Sequence, residues 1–202
     1  MRILLIGFPK SGTCSFHALF ETLGFESYHQ MFHGTPIARF IQQNLENQKP
    51  LLEGFPEGKD VDMALTQLDY CHEDLAFWPQ LSHFSQLYHE NKDAYFILNK
   101  RNPVDLLRSF QRWYGLDKRI LRLNPELFHH ATSDNDDEKL LTLFRQHYEK
   151  VESFFAALPD ARFLTFDITT GNKKENIDKL LTFLRLENIK DMEFPHKNKN
   201  PL

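Results

Sequence analysis

Cysteine is scarce in this 202-residue chain, where Cys14 and Cys71 are the only two. That excludes a disulfide-stapled scaffold and a four-cysteine zinc site. Charge of one sign is missing too: 24 Lys and Arg stand against 28 Asp and Glu, a net charge of −4. No basic stripe is present to grip nucleic acid without regard to sequence, so an anionic ligand must be held by local groups. Long apolar runs are absent as well. A membrane span needs about 18–20 such residues, whereas the run Ile3–Ile6 breaks at Gly7 and is equally short for a signal-peptide core. A soluble, cytoplasmic, reduced protein that engages neither nucleic acid nor membrane is expected. The length suits one domain spanning residues 1–202, and the 19 Phe residues point to an aromatic core.

What is present reads as alternating strands and helices. Residues 2–6 (RILLI) form a short apolar run that suits a buried parallel strand. Residues 7–13 (GFPKSGT) make a glycine-bearing turn. Over 14–23, Phe16, Leu19, Phe20 and Leu23 then share one helical face, and Gly24 supplies the stop. Further strands are expected at 61–68, 94–98 and 162–166, with helices at about 36–47, 75–90, 103–114, 137–157 and 174–185. The pattern predicts an α/β fold with a central, mostly parallel sheet flanked by helices, the 2–6 strand interior and the 7–13 loop at its carboxyl edge. The acidic run 133–138 (SDNDDE) reads as a solvated loop whose carboxylates favour the positive end of the next helix.

Gly7 and Gly12 have the spacing of a P-loop, yet the Lys-Ser/Thr pair that should follow the second glycine is missing: Thr13 and Cys14 stand there, and Lys10 lies inside the loop. The dinucleotide fingerprint fails for want of a third glycine. A cysteine-phosphatase loop fails because Phe20, not arginine, lies six residues after Cys14, which instead suits packing. The loop physics survives these departures. N–H groups near Ser11, Gly12 and Thr13 converge at a helix N-terminus, where an anion finds free donors and a favourable dipole. Lys10 adds charge, and Ser11 and Thr13 add hydroxyls.

A second anionic subsite is expected past the strand at 94–98. Arg101 follows its carboxyl end, where open parallel sheets bind ligands. Asn102 suits a helix cap, Pro103 the first helical position and Asp105 the first turn. A strand-to-helix corner would let Arg101 and Ser109 converge, the first with a planar fork and the second with a hydroxyl. The spacing alone also fits an Arg–carboxylate pair and a surface serine.

Residues 7–13 resemble the P-K-S-G-T loop of the sulfotransferases that use 3′-phosphoadenosine 5′-phosphosulfate (PAPS). Residues 101–109 resemble that family's R-[ND]-P-x-D-x-x-x-S segment, and 194–199 (FPHKNK) its C-terminal segment in some relatives. The resemblance implies a P-loop-like fold and transfer of a sulfuryl group from PAPS to a hydroxyl or amine of a small-molecule, glycan or peptide acceptor. It further implies that Pro9, Lys10, Ser11, Gly12, Thr13 and Cys14 hold the 5′-phosphosulfate, with Lys10 polarising the bridging oxygen. Arg101 and Ser109 would hold the 3′-phosphate, and Lys197 would stand in for the family's basic C-terminal run. No metal is required. The tryptophan that many relatives place two residues after the loop threonine is replaced by Ser15, which leaves the adenine contact open. Two alternatives stay open: a non-catalytic nucleotide-binding or regulatory protein on the same fold, and an atypical nucleotide kinase that would need magnesium.

A general base is expected after the 61–68 strand, within 67–74 (QLDYCHED). His72 ranks slightly ahead of Asp69, because an imidazole with an ordinary pKa near 6.5 suits proton abstraction at neutral pH. His33 is the next candidate. No HExxH pattern accompanies the ten histidines, so a metal site is not expected from them.

Overall fold

The computed structural model describes residues 1–56, 61–170, 173–186, 188–189 and 192–195. In chain order, β1 (Arg2–Leu5) leads through the loop into α1 (Thr13–Thr22) and β2 (Glu26–His29). A small hairpin, β3 (Met31–Phe32) with β4 (Thr35–Pro36), precedes α2 (Ile37–Glu46). Next come β5 (Met63–Gln67), the hairpin β6 (Tyr70–His72) with β7 (Leu75–Phe77), and the short helices α3 (Pro79–Ser82) and α4 (Phe84–Glu90). β8 (Tyr95–Lys100), α5 (Pro103–Arg112), α6 (Leu116–Leu123), α7 (Asp136–Ala156), β9 (Phe163–Asp167) and α8 (Lys173–Phe183) complete the sequence. Among the described residues no helix is long and apolar enough to cross a membrane.

The main sheet has five strands in the order β2-β5-β1-β8-β9, and every pairing in it is parallel. β1 is central, as its apolar run requires. Alternation along it sorts the core: Leu4 and Ile6 join the layer formed with α2, α4, α5 and α7, and Ile3 and Leu5 join the layer with α1 and α8. From β1 the chain leaves toward β2, and from β8 it leaves toward β9. Connections that diverge from neighbouring strands open a crevice at their carboxyl ends, where such sheets bind ligands.

Three elements differ from the sequence expectation. β2 (ESYH) was not foreseen because it is a polar edge strand without an apolar run; only its pairing with β5 marks it. The expected 75–90 helix begins instead as β7 and then breaks into α3 and α4. Leu75, Trp78, Leu81, Phe84, Leu87 and Tyr88 are all buried and imitate one helical stripe. Pro79, however, disfavours helical geometry at Trp78, which sits at φ −126°, ψ 72°. α6 was missed because its apolar positions, Leu116 and Ile120, follow directly on those of α5. The acidic run behaves as expected: the Asn135 side chain accepts from the N–H groups of Asp137 (2.9 Å) and Glu138 (3.1 Å), with Asp136, Asp137 and Glu138 in the first turn of α7.

Candidate active site

The start of the loop after β1 is pinned by Asn99. Asn99, near the end of β8 and fully buried, accepts from Gly7 N–H through Oδ1 (2.9 Å). Its Nδ2 donates to the carbonyls of Phe8 (3.3 Å) and Ser11 (3.1 Å). A Cβ at residue 7 would stand 2.2 Å from the Asn99 carbonyl oxygen, so this crossing admits glycine alone. Asn99→Ala should leave a buried N–H and two carbonyls unpaired. A loss of roughly 3 kcal/mol in urea unfolding is expected, with anion affinity at the loop falling in parallel.

Positive φ at Lys10 (66°) and Gly12 (80°) curls the loop tightly. For Lys10 this conformation is unfavourable and is fixed by Arg101, whose Nη1 donates to the Lys10 carbonyl (2.8 Å). α1 then starts with no side-chain cap on Gly12 and no acidic residue in its first turn. A helix start of this kind suits an anion. The Lys10 ammonium lies 3.4 Å from the centre of the Trp113 ring. Burial lowers its pKa from 10.5 to about 8, with the Cys14 thiol opposing the fall and Arg101 adding to it.

The second motif folds as its spacing requires. Pro103 opens α5, and Asn102 Oδ1 accepts from the N–H groups of Val104 (2.9 Å) and Asp105 (3.4 Å). Asp105 and Ser109, four apart, share the face of α5 that lines a cavity of about 580 Å³ together with Arg101. Trp113 continues that spacing and lines the same cavity. The sequence reading missed Trp113, although the i+4 step from Ser109 was its signal.

Pro9, Lys10, Gly12, Thr13 and Cys14 also line the cavity. Ser11 does not; it is fully buried, with its hydroxyl beside Tyr148. Thr13 Oγ1 donates to Gln67 Oε1 (3.2 Å) and lies 3.1 Å from His29 Nε2, which is 3.3 Å from Cys14 Sγ. His29 is thus a lining residue that sequence reasoning passed over, brought in by the unforeseen strand β2. Burial lowers its pKa to about 4, with His17 and Lys10 adding to the effect, so it is neutral at pH 7.

Beyond β5, Asp69 lines the cavity and is 2% exposed. It accepts from Gln80 Nε2 (2.7 Å) and Gln67 Nε2 (3.1 Å). Burial raises its pKa from 3.8 to about 7, against the opposing hydrogen bonds from Gln80, its own backbone and Gln67. His72 is placed differently. Side chains alternate along β6, and since Cys71 lines the cavity, His72 faces solvent, with Nδ1 3.2 Å from Asp74 Oδ1. His33 is likewise exposed and packs on Phe32, ring centres 4.2 Å apart. Of the three base candidates, the structure brings Asp69 alone to the loop.

Ile168, Thr169, Thr170 and Asn176, which follow β9, line the cavity as well, and Thr169 Oγ1 accepts from the Asn102 N–H at the start of α5 (2.9 Å). Phe194 and Pro195 also line it. Phe194 packs on Phe16 (4.9 Å) and Phe166 (5.2 Å). Lys197 lies outside the described residues. Among those described, no three His, Cys, Asp or Glu side chains gather as a metal site.

Comparison with curated proteins finds no match. Residues 2–201, essentially the whole chain, match a family described as the sulfotransferase domain. With a lysine-bearing loop and an arginine–serine pair on one crevice of a parallel sheet, this chain belongs to the sulfotransferase domain family.

Proposed function

We propose that the chain transfers a sulfuryl group from PAPS to a hydroxyl of a small acceptor, with Asp69 as the general base. The observation that carries this reading is the shared cavity. Lys10, Arg101 and Ser109 line it from two neighbouring strand ends, and Arg101 is bonded to the Lys10 carbonyl. At about 580 Å³, it falls within the range of small-molecule sites.

The residues fit the donor. Arg101 offers a planar fork and Ser109 a hydroxyl for a 3′-phosphate. The uncapped start of α1 and the Lys10 ammonium suit a 5′-phosphosulfate. Gly12, Ile168 and Phe194 form a wall, apolar at Ile168 and Phe194, on which an adenine can rest. In the transfer, the bond from sulfur to the bridging oxygen breaks as one to the acceptor oxygen forms. Lys10 stabilises charge developing on the leaving phosphate, and Asp69 takes the acceptor proton. Most of the rate enhancement then comes from positioning and electrostatics. Asp69 replaces His72 as the favoured base because it lines the cavity and its pKa of about 7 suits proton transfer at neutral pH.

Labelled sulfuryl transfer from PAPS to a panel of phenols tests the reaction, and Arg101→Ala tests the donor site. Because the 3′-phosphate is unchanged by the reaction, Arg101→Ala should weaken binding of 3′,5′-bisphosphoadenosine by about 10- to 100-fold. The rate at saturating donor should fall less. Unchanged bisphosphate affinity would remove Arg101 from the site.

A further inference from the structure

We propose that the acceptor carries a carboxylate and that Arg119 receives it, an inference that rests on the sulfuryl-transfer reading. Arg119 lines the cavity from α6. Among the described residues its side chain makes no hydrogen bond and no ion pair, and its Nε is buried without a partner. The carboxylates nearby are occupied. Arg122 Nη1 holds Glu73 (3.0 Å), Arg39 holds Asp74 (2.6 Å), and Gln67 and Gln80 hold Asp69. A half-buried guanidinium that faces a ligand cavity with no carboxylate bonded to it, Glu73 acting on it only from a distance, carries a cost that a carboxylate opposite it relieves, since the planar fork and the carboxylate match in shape and charge.

The same helix supplies the rest of the acceptor's outline. Leu116 is three residues before Arg119, on the same face of α6, and is buried against the cavity beside Trp113. Three residues of helix span about 4.5 Å, close to the breadth of one aromatic ring. An apolar body lying on Leu116 and Trp113 with its acid group at Arg119 extends at its other end toward Lys10, whose ammonium sits on the Trp113 ring. The acceptor class is a hydroxylated acid with roughly one ring between hydroxyl and carboxylate.

The test pairs 4-hydroxyphenylacetate with its neutral amide, 4-hydroxyphenylacetamide, and compares KM for the two. In the parent chain the acid should have a KM about 10-fold lower than the amide. Arg119→Gln should bring the ratio near one, and Arg119→Lys should keep part of it. Lys118→Gln, on the exposed Asp136 pair of the same helix, should leave the parent's ratio intact. Equal KM values in the parent, or a preference that survives in Arg119→Gln, overturn the proposal. If no sulfuryl transfer occurs and 3′,5′-bisphosphoadenosine does not bind, the donor reading has failed, and calorimetric titration of the acid and the amide decides this inference separately. Tighter acid binding that Arg119→Gln abolishes upholds it; equal or absent acid binding overturns it.

Discussion

Lys10→Ala is expected to cut sulfuryl transfer by about 100-fold or more, the usual effect of removing an electrostatic group aimed at developing charge. Ala keeps the Cβ, so the backbone at φ 66° is no more strained than before, and the change isolates the amine. Affinity for 3′,5′-bisphosphoadenosine should fall far less, because Arg101, Ser109 and the start of α1 remain. In the proposed reaction Lys10 would act on charge that builds on the bridging oxygen only as the reaction proceeds. The pH profile gives a second readout. With Asp69 at about 7 and Lys10 at about 8, kcat/KM should be bell-shaped with a narrow maximum between those values, the acid limb set by Asp69 and the alkaline limb by Lys10. Lys10→Ala should remove the alkaline limb while leaving the acid one. An equal loss in rate and in bisphosphate affinity would make Lys10 a binding residue and nothing more.

Asp69→Asn should be as severe for catalysis and opposite in sign for stability. Loss of the base is expected to lower turnover by about 100- to 10,000-fold and to abolish the acid limb of the profile. The stability effect follows from linkage. Asp69 has a folded pKa of about 7 against 3.8 unfolded, so between those values the native state binds the extra proton. The stability this contributes is complete below pH 3.8 and is lost as pH rises through 7. At pH 8 the buried carboxylate then costs on the order of 4 kcal/mol. The Asn variant should therefore be more stable than the parent at pH 8, although its amide must also accommodate the Gln67 and Gln80 donors. Gln80 Oε1 is buried without a partner and can accept from that amide once the Gln80 side chain turns over.

His29 and His147 act in the reverse direction. Both are pushed to about 4 by burial; His147 lies against the Ile6 carbonyl, Nε2 to oxygen 2.7 Å. With folded pKa values below the unfolded 6.5, their contribution is complete above pH 6.5 and is lost as pH falls toward 4, on the order of 3 kcal/mol each. Two such groups outweigh Asp69 in the acid range, so the parent should lose stability there. Asp69→Asn, lacking the opposing group, should lose it more steeply. Urea unfolding across pH 4–8 reads both effects. A parent and variant with parallel profiles would mean that Asp69 titrates normally.

Strong local signals made much of this legible in the sequence. The apolar runs of β1 and β8, the cap at Asn102 with Pro103, and the glycine spacing of the loop each had one physical solution, and each formed within a residue or two of the expected place. Lys10, Arg101 and Ser109 could be grouped in advance because their motifs are contiguous, and all three line one cavity. What escaped depends on tertiary pairing. β2 is polar and exists through its ladder with β5, so His29 could not be placed. Trp113 and Arg119 required the turn at Gly115, which sets α6 beside α5. Asn99 is one polar residue near the end of an apolar strand, and its hold on Gly7, 92 residues earlier in the chain, has no local trace. The ranking of His72 over Asp69 used ordinary pKa values, whereas burial raised the carboxylate and the pleat of β6 turned the imidazole outward.

Donor recognition is tested most directly by thermal unfolding of the chain with 3′,5′-bisphosphoadenosine, beside ATP with magnesium. At 100 times its dissociation constant the bisphosphate should stabilise the fold by about 2.7 kcal/mol, without magnesium, and Arg101→Ala should reduce the shift at the same concentration. A shift produced by ATP with magnesium and not by the bisphosphate would contradict PAPS as the donor and favour a nucleotide kinase.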